Sequence, residues 1–182
     1  MKKILIIIGS FREGSFNKTA AKYIQEQFIN QNFNSKILNY DNVPFFNQDI
    51  EFPPPQSVSL VRQEIKNSDL VWIVTPEYNG SIPGILKNLL DWISRPIISG
   101  EYGIPDIIKN KKVAITSISG SSAGKTVIKN MYELLQKMKM IPLDKTLGLS
   151  IPSETFKTGK FQIDSVQRKL LDEQIKSALH FL

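Results

Sequence analysis

The sequence predicts an α/β fold, a doubly wound sandwich with helices on both faces of a five-stranded parallel sheet. Three observations predict it. Lys3–Ile8 and Leu70–Thr75 are apolar, β-branched runs of strand length, the pattern of strands buried on both faces. Segments with apolar residues at helical spacing alternate with the strands, as βαβ units require. Two loops of unusual composition, Gly9-Ser-Phe-Arg-Glu-Gly-Ser-Phe-Asn17 and Pro76-Glu-Tyr-Asn-Gly-Ser-Ile-Pro83, leave the ends of those two strands. In an open parallel sheet such loops share one crevice at the carboxyl ends of the strands, and ligands bind there.

The elements follow in order. Gly9 ends the first strand, and Ala20, Ala21, Ile24 and Phe28 mark a first helix that Asn17 is placed to cap. Ser35–Asn39 reads as a short second strand. Tyr40 to Pro55, with Pro44 and the run Pro53, Pro54 and Pro55, is too irregular for an element and long enough to form a functional rim. Val58, Val61 and Ile65 give a second helix, and Leu70–Thr75 a third strand. Gly84–Ile93 is a third helix with Pro83 just ahead of it and Ile85, Leu86, Leu89, Leu90 and Ile93 on its apolar stripe. Val113–Ile118 is a fourth strand, Thr126–Met140 a fourth helix, Thr146–Leu149 an edge-like fifth strand, and Ser165–Phe181 a closing amphipathic helix. A chain of 182 residues with 41% hydrophobic content is read as a single domain, residues 1–182.

Composition narrows the chemistry. With no cysteine and one histidine, His180, a thiolate cluster, a cysteine nucleophile, a histidine metal site and a His-based triad are all disfavoured, and no metal is expected. The apolar runs fall far below the roughly 20 residues that span a bilayer, and the first of them leads into Gly9 instead of a cleavage site. The expectation is a soluble cytoplasmic protein without a membrane partner. Net charge is +6; residues 1–100 carry 10 basic and 9 acidic side chains and residues 101–182 carry 13 and 8, so the second part holds +5 of it. The lysines are dispersed and no nucleic-acid motif appears, which argues for a solvated surface and against a nucleic-acid partner.

The first loop has the makings of an anion cradle. Ser10, Ser15 and Asn17 offer short hydrogen-bonding groups and Arg12 a planar cationic fork, while the helix that follows brings unpaired amides. A phosphate monoester suits that set. The Gly-x-Gly-x-x-Gly spacing of a dinucleotide fold is absent, and Gly120-Ser-Ser-Ala-Gly-Lys-Thr126 has three residues, not four, before its Gly-Lys pair, so it is not a nucleoside-triphosphate P-loop. Ser119, Gly120 and Ser121 instead form a third small-residue loop at the same sheet edge. The second loop combines Pro76, an aromatic at Tyr78 and an Asn79-Gly80 turn, whose exposed amides suit the edge of a flat heteroaromatic ring.

The motifs Gly9-Ser-x-Arg-x-x-Ser-x-Asn17 and Pro76-Glu-Tyr-Asn-Gly-Ser-Ile-Pro-Gly-x-Leu-Lys-Asn-x-Leu-Asp-Trp92 resemble those of the NADPH-dependent FMN reductase family, a flavodoxin-like group that includes quinone, chromate and azo-dye reductases. The resemblance implies a sheet order 2-1-3-4-5 and FMN at the switch between the first and third strands. It implies that Ser10, Arg12, Ser15, Phe16 and Asn17 bind the FMN phosphate, and that Pro76, Glu77, Tyr78, Asn79 and Gly80 line the ring, with Ser119 and Gly120 beside it. It implies hydride transfer from NADPH or NADH through FMN to a small acceptor such as a quinone, an azo compound, chromate or free flavin, with no protein acid or base. Glu77 is expected to make backbone or inter-subunit hydrogen bonds. A homodimer or homotetramer is implied, with Trp92 open between core packing and subunit contact. The family often carries paired glycines where Ala123 precedes Gly124 here. A flavodoxin-like electron carrier that binds FMN without oxidising nicotinamide is the alternative, and such carriers are typically acidic.

Overall fold

The computed structural model describes residues 1–182 and sets one parallel sheet between two layers of helices. Strands β1 (Lys3–Ile8), β2 (Asn34–Ile37), β3 (Leu70–Thr75) and β4 (Lys112–Ser119) lie in the order β2-β1-β3-β4, all parallel. The fifth position is divided: Ile141–Pro142 (β5) pairs with the start of β4 at Lys112 and Val113, and Leu147–Ser150 (β6) with its end at Thr116–Ser119. The expected order 2-1-3-4-5 therefore holds, but the sheet has six strands, not five. The division has a local cause. Pro142 has no N–H to give a ladder, and the amide of Thr146 turns back onto the carbonyl of Asp144 before pairing resumes.

Side chains alternate across the central strands with the two-residue period of a pleat. Ile4, Ile6 and Ile8 join Trp72 and Val74 on one face, under α1 (Phe16–Asn30) and the last helix, which spans Ser165–Phe181. Leu5 and Ile7 join Val71 and Ile73 on the other, under α2 (Gln56–Asn67), α3 (Gly84–Ile93) and α4 (Lys125–Lys137). A full burial of an aliphatic side chain contributes about 1.5–3 kcal/mol, so these doubly covered strands form a rigid floor for the loops at their ends. One polar chain crosses the floor fully paired: Trp72 Nε1 donates to Thr116 Oγ1 (2.9 Å), whose hydroxyl donates to Gln174 Oε1 (2.7 Å). Gln174 Nε2 in turn donates to the carbonyls of Ile115 and Lys145.

The irregular stretch from Tyr40 to Pro55 is pinned to α3. Trp92 is fully buried and its indole N–H donates to the Pro44 carbonyl (2.8 Å), so within the chain it is a core residue and loop anchor. Asn88 accepts from the Phe46 amide (2.7 Å) and donates to Pro44 (2.9 Å). Arg95 grips the buried Glu51 carboxylate with Nε at 2.7 Å and Nη2 at 3.1 Å. Arg62, also buried, donates to the carbonyl of Trp92 at the end of α3; burial pulls its pKa below the ordinary arginine value, and the charge of Glu51 opposes that pull.

Several boundaries differ from the sequence reading: β2 ends at Ile37 and not Asn39, while β4 and β6 are displaced or extended by a residue or two. Ser15, not Asn17, is the N-cap of α1, and α4 ends at Lys137 because Lys139 turns into a left-handed conformation (φ 59°). Besides β5, two elements are new: a single 3-10 turn at Gln48–Ile50 within the stretch read as too irregular for an element, and α5 (Ser153–Thr158) between β6 and the last helix, now α6.

Candidate functional site

Gly9 brings the two strand exits together. Its backbone passes so close to Thr75 that a Cβ there would collide with the Thr75 hydroxyl and lie 2.9 Å from Thr75 Cβ. Its amide donates to the Val74 carbonyl (2.8 Å), which carries the pairing of β1 and β3 into the loops. Beyond that pinch the loops diverge around a cavity of about 220 Å³ at the carboxyl end of the sheet. A larger cavity of about 580 Å³ opens at the other end of the sheet among five lysines, but two of these, Lys2 and Lys112, donate to the carboxyl terminus, and none of the loop motifs reaches it. In this class of sheet the carboxyl ends carry the ligand.

The wall nearest β1 is the cradle. Ser10, Arg12, Ser15, Phe16 and Asn17 all line it. Ser15 starts α1 in an extended conformation, and its hydroxyl makes no capping bond. The first amides of the helix have no intrahelical acceptor by construction of an α-helix, so hydroxyl and amides together remain available to an anion. Arg12 forms no ion pair; its guanidinium lies over the Phe16 ring at 4.8 Å, and Gly14 gives it room, since a Cβ there would sit 3.0 Å from Nη1. Asn17 has a different use from the capping expected of it. Its amide donates to the Ile118 carbonyl and accepts from the Ile118 amide, both at 3.1 Å, and so ties α1 to β4 beneath the cavity.

The opposite wall is built from β3 and β4. Pro76, Glu77, Tyr78, Ser119 and Gly120 line it. Tyr78 and Ser81 exchange two backbone hydrogen bonds (3.2 and 2.9 Å) around Asn79 (φ 53°) and Gly80 (φ 67°), a two-residue turn with both central residues left-handed, which is what Asn-Gly favours. Asn79 and Gly80 stand in this turn outside the cavity wall, whereas the other ten predicted positions are on it. Half-exposed Tyr78 stands at the mouth. Space is open over Gly120, where a Cβ would meet nothing within 4 Å.

Glu77 joins the two loops. Its amide donates to Ser119 Oγ, its Oε1 accepts from Ser122 Oγ and its Oε2 from the amide of Val127, each at 2.9 Å. A carboxylate on an amide in the first turn of α4 also meets the positive end of that helix. Replacing Glu77 by Ala is expected to lower stability by about 1–2 kcal/mol, read from the midpoint of urea unfolding; a midpoint equal to that of the parent would refute the capping role. Beside it the chain keeps a backbone bend that two glycines would adopt easily, with Ala123 at φ 49° and Gly124 at φ 68°.

Sequence reasoning missed the rim supplied by α5. Phe156 and Gly159 line the cavity together with Ile118 and Ile151, and Phe156 and Phe161 meet the Phe16 ring at centroid distances of 5.7 and 5.4 Å. Pro152 before the helix and Gly159 (φ 66°) after it were the only punctuation that marked the element.

The NADPH-dependent FMN reductase family matches residues 2–151. The chain belongs to this family. A quinone reductase of Pseudomonas putida KT2440 is 37% identical over 122 residues, which cover 66% of this chain and 62% of that protein. An NAD(P)H-dependent FMN reductase of Pseudomonas aeruginosa is 30% identical across 96% of this chain and 92% of its own. Among solved structures, the flavoenzyme NAD(P)H:(acceptor) oxidoreductase FerB of Paracoccus denitrificans superposes with a TM-score of 0.79 at 23% identity, covering 99% of this chain and 98% of that one. An FMN-dependent NADH-azoreductase of Bacillus anthracis, solved with FMN, gives 0.61 at 14% identity and coverage of 100% and 99%. These two likenesses concern the fold, which is flavodoxin-like. In this member of the FMN reductase family the donor set fits an FMN: an unpaired guanidinium, an uncommitted buried hydroxyl and free helix amides at one end, and an open glycine beside a tyrosine at the other.

Proposed function

We propose that this chain is an NAD(P)H-dependent, FMN-containing oxidoreductase that passes a hydride equivalent from a nicotinamide nucleotide to a small acceptor of the quinone, azo, chromate or free-flavin kind. The single observation that carries the reading is the cavity at the β1 and β3 exits, with an unpaired Arg12 at one end and the Tyr78 turn at the other. Bound FMN supplies the two-electron chemistry that a chain without cysteine lacks among its own side chains. Ser10, Ser15 and the α1 amides hold the phosphate with Arg12, while Asn17 fixes the start of α1 against β4. Pro76, Tyr78, Ser119 and Gly120 shape the ring end, and Glu77 holds the two ring loops in register. Asn79 and Gly80 contribute the turn geometry that sets Tyr78. The family resemblance and the relatives' names support the donor and acceptor classes.

The same reading takes residues 1–182 as one domain working in the cytoplasm, where nicotinamide donors are made. No helix is long and apolar enough to cross a membrane. It also takes the chain as a homodimer or homotetramer, supported by Phe45 (84% exposed) beside the loop segment pinned to α3 and Leu60 (58%) on α2.

One experiment tests the proposal. The purified protein is expected to be yellow, to bleach on anaerobic addition of NADPH or NADH, and to regain colour when a quinone is added. A colourless protein that takes up no FMN sinks the cofactor assignment. A yellow protein that neither nucleotide bleaches sinks the oxidoreductase and leaves an electron carrier.

A further inference from the structure

The loop that bears Arg12 has two sides. One faces the cavity already described, and the other faces a second cavity of about 280 Å³ at the carboxyl ends of β1 and β2. Phe11, Arg12, Lys18, Asn39, Tyr40 and Asp41 contribute to its wall. Phe11 is 48% exposed and rests on the Tyr40 ring, with centroids 4.8 Å apart. Tyr40 is itself buried, and its hydroxyl donates to the Ile8 carbonyl at 2.6 Å, so the exposed ring sits on a fixed base. Neither Lys18 nor Arg12 forms an ion pair, and the Asp41 carboxylate pairs with no cation. The Asp41 amide donates to Asn39 Oδ1 (3.3 Å), which leaves the Asn39 amide group free and fixes the turn that carries both side chains.

With Arg12 turned to the FMN phosphate, an exposed ring, the unpaired Lys18 and an acceptor within one concavity are the chemical complement of a nucleoside phosphate. The ring offers a face for a base, Lys18 meets phosphate oxygens, and Asp41 accepts from ribose hydroxyls. We propose that this cavity docks the adenosine diphosphate half of the nicotinamide donor. The proposal rests on the reading that the neighbouring cavity holds FMN. Because Arg12 stands in the wall common to both, a donor whose nicotinamide lies against the flavin crosses one loop to place its other half on Phe11 and Lys18.

The test uses the FMN-loaded protein and adenosine 5′-diphosphate as the probe. Calorimetry is expected to show binding, and steady-state inhibition by the probe to be competitive with the nicotinamide donor and not with the quinone. Phe11→Ala and Lys18→Glu are each expected to weaken probe binding about tenfold, from the usual cost of losing one stacking or one charged contact. The KM for the donor rises in parallel, and the KM for the quinone does not. Flavin content, read from absorbance, reports on the first cavity separately. No measurable binding of the probe to flavin-replete protein overturns the proposal, as does inhibition that fails to compete with the donor. A Phe11→Ala protein that loses its FMN also overturns it, since Phe11 then belongs to the flavin site.

Discussion

Arg12→Ala is expected to weaken FMN binding by about 10- to 150-fold, the equivalent of the roughly 1.5–3 kcal/mol that a hydrogen bond to a charged group contributes. The effect should fall on the phosphate alone. Riboflavin, which lacks it, is then bound by parent and variant with nearly equal affinity, so the ratio of the two ligands' dissociation constants isolates what the guanidinium does. Arg12→Lys should recover part of the loss, because a point charge remains while the planar fork is gone. The prediction is sharpened by the lack of any competing partner: Arg12 forms no ion pair and lies only against the Phe16 face. Should the alanine variant discriminate FMN from riboflavin as well as the parent does, the phosphate lies elsewhere.

Gly148→Ala is expected to be the most damaging small substitution near the site. The added methyl would run into the carbonyl oxygen of Ala123, a backbone atom with no rotamer to escape through, and would lie 3.2 Å from Ile128 Cδ1. Gly124, just beyond, is held at φ 68° with its α-carbon against the Ser117 side chain, so the loop cannot retreat in that direction. Overpacking of this kind costs about 1–3 kcal/mol and more when backbone must move; at about 2–4 °C per kcal/mol for a chain of this size, thermal unfolding should shift down by roughly 2–12 °C. The loop also carries Ser119 and Gly120, so FMN affinity should fall together with stability. A melting temperature within a degree of the parent's would show that the loop yields and that its close seating on β6 is unimportant.

Most of this architecture was readable because it follows from period and punctuation. β1 and β3 announce themselves as unbroken aliphatic runs, α3 by its stripe and leading Pro83, and the Asn79-Gly80 turn by residues suited to positive φ. The misses have physical reasons. β5 is two residues long with a proline in it, too short to carry an alternation. α5 has no buried residue, so it leaves no apolar period to read, and its rim position depends on Phe156 meeting Phe16 from more than a hundred residues away in sequence. Asn17 was read for its local capping tendency, whereas Ile118 across the core claims its amide. Glu77 does make the backbone hydrogen bond expected of it, but on a helix that begins 48 positions later, at Lys125, a partner that local sequence does not name. Arg62 looks like any helix-surface arginine in the sequence, yet it is buried against the Trp92 carbonyl at the end of α3. Local preference carries the elements; the partners that decide what a polar side chain does come from the topology.

The divided margin beside β4 has a consequence for how copies of this chain can meet. A sheet border invites a foreign strand when it offers a long, flat row of free amides and carbonyls. Here one border is β2, four residues long with only intermediate or exposed side chains, and the other is interrupted between Pro142 and Leu147. Neither flank gives an incoming strand a continuous zipper. A second copy that approached either flank would find only a few residues of backbone to pair with.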